Sequence, residues 1–95
     1  MSHEFNLVYE RGARQLLSKL SPDVKPQVKG AIESLKADPY TGKELKLELA
    51  GYRSLRSRRY RVIYRVRPES RQVEIHHFGP RADVYETFRR ALESR

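Results

Sequence analysis

Apolar and polar residues alternate along several stretches of this chain. Phe5, Leu7 and Tyr9 flank Asn6 and Val8, which predicts a first strand over residues 5–9. Between Arg59 and Arg67 the row Tyr60, Val62, Tyr64, Val66 interleaves with Arg59, Arg61, Ile63, Arg65, Arg67. That pattern predicts a half-buried strand, the first set on a core and the second free. Tyr52 to Ser57 supplies a preceding strand. The polar segment Pro68-Glu69-Ser70-Arg71 turns the chain, and Val73, Ile75 and His77 alternate into a last strand that ends at Gly79-Pro80.

The spacing changes to helical elsewhere. Ala13, Leu16, Leu17 and Leu20 fall at i, i+3, i+4, i+7 on one helix face. Ser21-Pro22-Asp23 carries a capping hydroxyl, a first-turn proline and an acid, so a second helix is expected to start there and run through Val24, Val28, Ala31, Ile32 and Leu35. Pro26 conflicts with that start, because a proline beyond the first turn removes a backbone bond. Residues 40–50 predict a loop with a partial strand or helical turn. Val84, Phe88, Ala91 and Leu92 predict a short terminal helix capped by Asp83. The order β-α-α-β-β-β-α implies one α+β domain spanning 1–95. Its N-terminal strand and helical hairpin pack on a small antiparallel sheet, with a short C-terminal helix.

Charge sharpens this picture. The chain has a net charge of +8 in 95 residues, and no cysteine for disulfides or thiolate metal sites. The first fifty residues carry eight Lys/Arg against seven Asp/Glu, and the remainder carries twelve against five. All twelve cations of the second part are arginines, seven of them between Tyr52 and Arg67. Guanidinium groups grip phosphate through paired hydrogen bonds and stack on flat rings, which ammonium groups do not. An anionic backbone, RNA first, is the expected partner. Arg53, Arg56, Arg58, Arg59 and Arg65 are the candidate RNA-binding residues. No signal-like segment opens the chain and no apolar run approaches the roughly 18 residues of a membrane span, so a soluble cytoplasmic protein is expected.

The segments GYRSLRSRRYRVIYRV and IHHFGPRADVYETF resemble the RelE/ParE superfamily of toxins from toxin–antitoxin systems. The most specific pieces are Tyr-Arg-Val-Ile-Tyr at 60–64 and Gly-x-Arg-x-Asp-Val-Tyr at 79–85, and the element order matches over nearly the whole chain. The resemblance implies a RelE-like fold and a small toxin held inactive by a cognate antitoxin. In the RelE branch it also implies cleavage of mRNA in the ribosomal A site. Arg61, Arg81 and Tyr85 match that branch's active-site pattern. The chain departs from it at Tyr52 and Ser54, where RelE has lysines, and at Pro80, where many relatives have histidine.

Metal-free RNA cleavage of this kind uses the 2′-hydroxyl to attack the adjacent phosphate. Arginine stays protonated and cannot be the base, but it can hold the charge that develops on the phosphorane. Arg61 and Arg81 therefore take the phosphate, with Arg81 nearest the leaving group. Tyr85 is the expected proton acceptor, since nearby guanidinium charge favours a phenolate. A ring that stacks on a base, or an ordinary core tyrosine, is the plainer alternative. His76 and His77 are further proton-transfer candidates; strand alternation would send them to opposite faces, unable to share a metal. His3 is discounted. No cofactor or metal is expected.

Two rivals remain open: a ParE-like toxin that poisons DNA gyrase, and a nucleic-acid-binding module without chemistry. Either toxin would bind a cognate acidic antitoxin, whose disordered segment folds across the arginine strand.

Overall fold

The computed structural model describes residues 4–80 and 83–94, and the expected α+β architecture is the observed one. In chain order the elements are β1 (Asn6–Tyr9), α1 (Arg11–Ser18), α2 (Lys25–Ser34), β2 (Lys43–Glu44), a 3-10 turn (Leu47–Leu49), β3 (Arg53–Ser57), β4 (Tyr60–Arg67), a second 3-10 turn (Pro68–Ser70), β5 (Gln72–Pro80) and α3 (Val84–Glu93). The five strands form one sheet in the order β1-β5-β4-β3-β2. Three pairings are antiparallel, but β1 runs parallel to β5, so the sheet is mixed rather than wholly antiparallel. The α1–α2 hairpin lies between β1 and the rest of the sheet in sequence, and it gives the chain the long crossover that a parallel neighbour requires. Among the described residues no helix is long and apolar enough to cross a membrane.

Helix α2 starts at Lys25, later than the Ser21-Pro22-Asp23 signal. Pro26 decides this: it is accommodated only in a first turn, where its missing N–H has no helical acceptor to lose. Ser21 still shapes the entry, because its carbonyl accepts from the N–H groups of Val24 and Lys25.

The sheet has two unlike faces. The helical hairpin covers one, burying Val62, Tyr64, Val73, Ile75 and Phe78 against Ala13, Val28, Ile32 and Leu35. The apolar row of β4 therefore faces the core as its alternation predicts. Helix α3 covers part of the other face, packing Val84 and Phe88 on Ile63 and Leu49. Ile63 is fully buried, so the arginine face is open only beside α3.

Tyr64 ties the β2 edge to this core. Its hydroxyl, fully buried, donates to the Pro39 carbonyl at 2.8 Å and accepts the Gly42 N–H at 2.9 Å. Burial is the main cause holding its phenol above the usual tyrosine range. Gly42 has to be glycine here, since an added Cβ would collide with the Tyr64 hydroxyl and approach its ring carbon within 2.8 Å.

Candidate functional site

Strand β4 carries Arg61 toward the α3 face, and β3 sets Arg56 directly opposite it. Two positions back on β3, Ser54 pairs with Ile63 and points the same way, because residues two apart share a face. Arg61 Nη1 donates to Ser54 Oγ at 3.3 Å. Ser54 Oγ also lies 3.1 Å from the Tyr85 hydroxyl, which descends from the first turn of α3. Ser54 is only 2% exposed, so this bridge is held inside the fold. A serine oxygen accepting from Arg61 can still donate to Tyr85 or accept from it. The hydroxyl therefore suits either charge state of the phenol.

Of the three expected catalytic residues, Arg61 and Tyr85 are thus brought together. Arg81 lies outside the described residues, as does His3. The five arginines expected to bind RNA divide by location. Arg56 sits beside Arg61, and Arg58 and Arg59 form the exposed two-residue loop of the β3–β4 hairpin. Two guanidiniums placed directly opposite on a sheet repel each other unless an anion lies between them.

Arg53 faces the other side of the sheet. It donates to the carbonyls of Tyr40 and Gly42 at 3.2 and 2.8 Å, pairs with Glu44 at 3.2 Å, and sits over the Tyr40 ring. These contacts fasten β2 to β3 and do not join Arg61. Arg65 shares the Arg61 face but is four residues further along the strand. Its guanidinium lies 4.8 Å from the Tyr52 ring centroid and donates to the Tyr52 hydroxyl at 3.3 Å. It belongs to a separate cluster.

That cluster includes both histidines, and here simple alternation fails. Ile63 pairs with His77 and Tyr64 pairs with Ile75, leaving His76 as an extra residue in β5. Such a bulge turns two successive side chains to one side. The His76 ring meets Tyr52 edge-on at 5.0 Å, and the His77 ring stacks on Phe88 at 5.6 Å. Both therefore lie beneath α3, contrary to the opposite-face expectation. Burial depresses both imidazole pKa values below the usual histidine range, opposed at His76 by its bond to Glu74 and at His77 by Asp83. Burial pushes Glu74 up, but hydrogen bonds from His76 and Arg67 outweigh it and hold the carboxyl below its ordinary value.

Glu10, Glu74 and His76 each place one potential ligand atom within 4.8 Å of the others. Both oxygens of Glu74 are already engaged, one by His76 at 3.1 Å and one by Arg67 at 3.0 Å. Glu74 thus takes a hydrogen bond from His76 and an ion pair from Arg67 in this arrangement.

In the sequence Ser54 stands out only as a departure from a lysine pattern, and its parity with Arg61 along an antiparallel hairpin is the signal for its bridging place. Tyr52, the platform for Arg65, stands out there in the same limited way.

The family model described as the ParE-like toxin of type II bacterial toxin–antitoxin systems matches residues 7–89. Among solved structures, the chain is similar to the toxin–antitoxin complex RelBE2 from Mycobacterium tuberculosis, with 34% identity, 82% of this chain and 99% of that one covered, and a TM-score of 0.75. It is similar in fold to a free double arginine-to-alanine mutant of the E. coli toxin RelE, with 22% identity, coverages of 96% and 97%, and a TM-score of 0.74. The archaeal RelE–RelB complex from Pyrococcus horikoshii aligns at 21% identity, covering 83% and 97%, with a TM-score of 0.66. No curated protein sequence matches. With the family model spanning most of the chain and a 34% identical relative sharing its fold, this protein belongs to the ParE-like toxins of type II bacterial toxin–antitoxin systems, within the RelE/ParE superfamily.

Proposed function

We propose that this toxin is a ribosome-dependent endoribonuclease that cleaves mRNA in the ribosomal A site and so inhibits translation in the cytoplasm. The observation that carries the reading is the convergence of the Arg61 guanidinium and the Tyr85 phenol on Ser54 Oγ. A fixed positive charge beside a group that can accept a proton is the pair that 2′-hydroxyl attack requires, and this convergence supports that reading. In the proposed step Tyr85, as its phenolate, takes the 2′-hydroxyl proton and becomes the neutral phenol, and the 2′-oxygen bonds to phosphorus. The 5′-oxygen then departs with a proton from water, leaving a 2′,3′-cyclic phosphate. Arg61 and Arg81 hold the phosphorane charge, which is generally the largest catalytic contribution. These steps call on no metal.

A phenol and two guanidiniums make weak acid–base machinery, so much of the barrier must fall through alignment. Holding the reacting atoms in line supplies up to about 7–11 kcal/mol in favourable cases. A ribosome that holds the mRNA bent would provide that alignment, and free RNA should be a poor substrate. Toeprinting of a translated mRNA with purified toxin tests the reading. A-site cuts are expected, and their absence at saturating toxin would rule it out.

A second reading, gyrase poisoning, draws on the ParE-like description of the matching family and on Tyr52 and Ser54 standing where RelE has lysines. A supercoiling assay run beside the toeprint separates the two.

The proposed regulator is a cognate acidic antitoxin, by analogy with the M. tuberculosis and P. horikoshii complexes. Arg56, Arg58 and Arg59 offer it an exposed cationic lane, and an acidic segment that folds there would cover Arg61. Displacement of α3 by that segment would also remove Tyr85 from Ser54.

A further inference from the structure

Glu10 links β1 to α1, and its N–H donates to the Ile75 carbonyl at 2.9 Å. That bond seats it against the residue that separates Glu74 from His76 on β5. The three side chains each bring a potential ligand atom within 4.8 Å of the others. This cluster stands apart from the catalytic pair. Glu74 faces Arg65 in the ladder, four residues along β4 from Arg61, roughly 13 Å of strand.

Each member has a donor to give. Among the described residues the Glu10 carboxylate takes no hydrogen bond and no ion pair, and it does not cap α1, although the residue is half-buried. An unpaired carboxylate so placed costs free energy that a cation would recover. Glu74 gives Oε2 to Arg67 and turns Oε1 to His76. A carboxylate oxygen only accepts, so His76 Nε2 carries the hydrogen and Nδ1 keeps a bare lone pair. Nδ1 has no partner, in a side chain only 4% exposed. The ring proton can therefore move to Nδ1 without displacing any bond there, which frees Nε2 as a ligand. Nε2 and Oε1 stand 3.1 Å apart, near the roughly 3.3 Å between neighbouring ligands at a tetrahedral zinc with arms of about 2.0–2.1 Å.

One imidazole with two carboxylates suits a first-row divalent ion, whereas magnesium and calcium favour all-oxygen sites. A cavity of about 460 Å³ between α1 and α3, lined by Glu10, Gln15, His76 and Phe88 among others, gives entry and room for water ligands.

We propose that Glu10, Glu74 and His76 form a divalent-metal site of the zinc class, with water completing the shell. The ion takes the place of the hydrogen between His76 and Glu74, and Glu10 closes the third position. Two carboxylates balance its charge, and Arg67 keeps Oε2. Arg65 and Arg11 stand close by and restrain the affinity. The ion clasps the β1–α1 junction to β5 and takes no part in cleavage, so the site is independent of the nuclease reading.

Isothermal titration calorimetry of the untagged, metal-free chain with zinc chloride tests this. One ion per chain is expected, with a Tm that climbs as zinc rises, and magnesium chloride at equal concentration should give neither. Glu10→Gln should melt like the metal-free wild type, since no hydrogen bond or ion pair is lost, and bind zinc at least about tenfold more weakly, the loss that removing even an outer partner brings. His77→Gln leaves all three ligands and should bind as the wild type does. Long-range nitrogen–proton NMR spectra should show zinc moving the His76 ring proton from Nε2 to Nδ1. Absence of saturable zinc binding, wild-type affinity in Glu10→Gln, equal weakening in His77→Gln, or an unmoved His76 proton under saturating zinc would each overturn the site.

Discussion

Arg61 and Tyr85, on β4 and α3, reach the same serine hydroxyl at 3.3 and 3.1 Å. Tyr85→Phe keeps the ring in the α3 cluster and removes only the phenolic hydroxyl. It should lower the single-turnover cleavage rate about 10²–10⁴-fold, the usual worth of a general base. Arg61→Ala should lower it about 10²–10³-fold, as for loss of one charge-stabilising donor. Arg81→Ala should likewise reduce turnover far more than ribosome binding. Wild-type cleavage by Tyr85→Phe would remove the phenol from the mechanism.

The Tyr64 hydroxyl satisfies two buried backbone groups at once. Tyr64→Phe leaves the Gly42 N–H and the Pro39 carbonyl without that partner, and should destabilise the fold by about 1–3 kcal/mol. Gly42→Ala overpacks the same point and should cost about 1–3 kcal/mol. Urea unfolding measures both, and stability equal to the wild type would contradict the bonding described.

Arg58 stands at φ 55 in the hairpin loop, a left-handed conformation that glycine adopts freely and an arginine does not. Arg58→Gly should therefore stabilise the protein by about 0.5–1 kcal/mol, visible as a few degrees in Tm. The same change should slow association with an acidic antitoxin, and neutralising Arg56, Arg58 and Arg59 together should slow it sharply at low salt. Rates unaffected by these changes, read by stopped-flow fluorescence, would take the loop out of antitoxin capture.

His76 and His77 are held neutral by burial beneath Phe88. The unfolded chain binds these two protons more readily than the folded one. Their effect is absent above about pH 6.5, and stability falls as pH drops through the depressed folded values. Glu74 acts in the same direction at lower pH, since its stabilisation is present above the usual carboxylate range and lost as acid protonates it. Thermal melts between pH 7.5 and 5 should fall less steeply for His77→Gln than for the wild type. Parallel slopes would mean that His77 is not among the groups titrating.

Much of the sheet was legible because β4 alternates cleanly, and Tyr60, Val62, Tyr64 and Val66 do pack on the helical hairpin. The features that escaped depend on partners distant in sequence. Nothing local to Phe5–Tyr9 specifies a parallel partnership with β5, which forms only after the helical hairpin folds back. The start of α2 was misplaced because two prolines offered rival first turns, and only one can precede a continuous helix. The Arg61–Tyr85 proximity was expected from resemblance, but Ser54 as its link needed the β3–β4 register. Arg53 and Arg65 looked alike in the sequence, and strand parity separates their faces while neighbours decide their roles.

The extra residue at His76 also bears on how this strand can change length. The ladder from Val66 to Tyr60 needs one residue fewer opposite it than β5 supplies. Because the surplus lies within a His-His pair, losing either codon yields the same shorter polypeptide, with Ile75 and Phe78 still able to meet Tyr64 and Val62. Such a chain would keep its hairpin core and retain a single imidazole under Phe88, giving up the contact to Glu74 or the stack on the ring. Amide exchange on the deletion protein would show whether β5 closes up in that way: protection should persist through Phe78, and its loss beyond Ile75 would mean that the surplus residue is required.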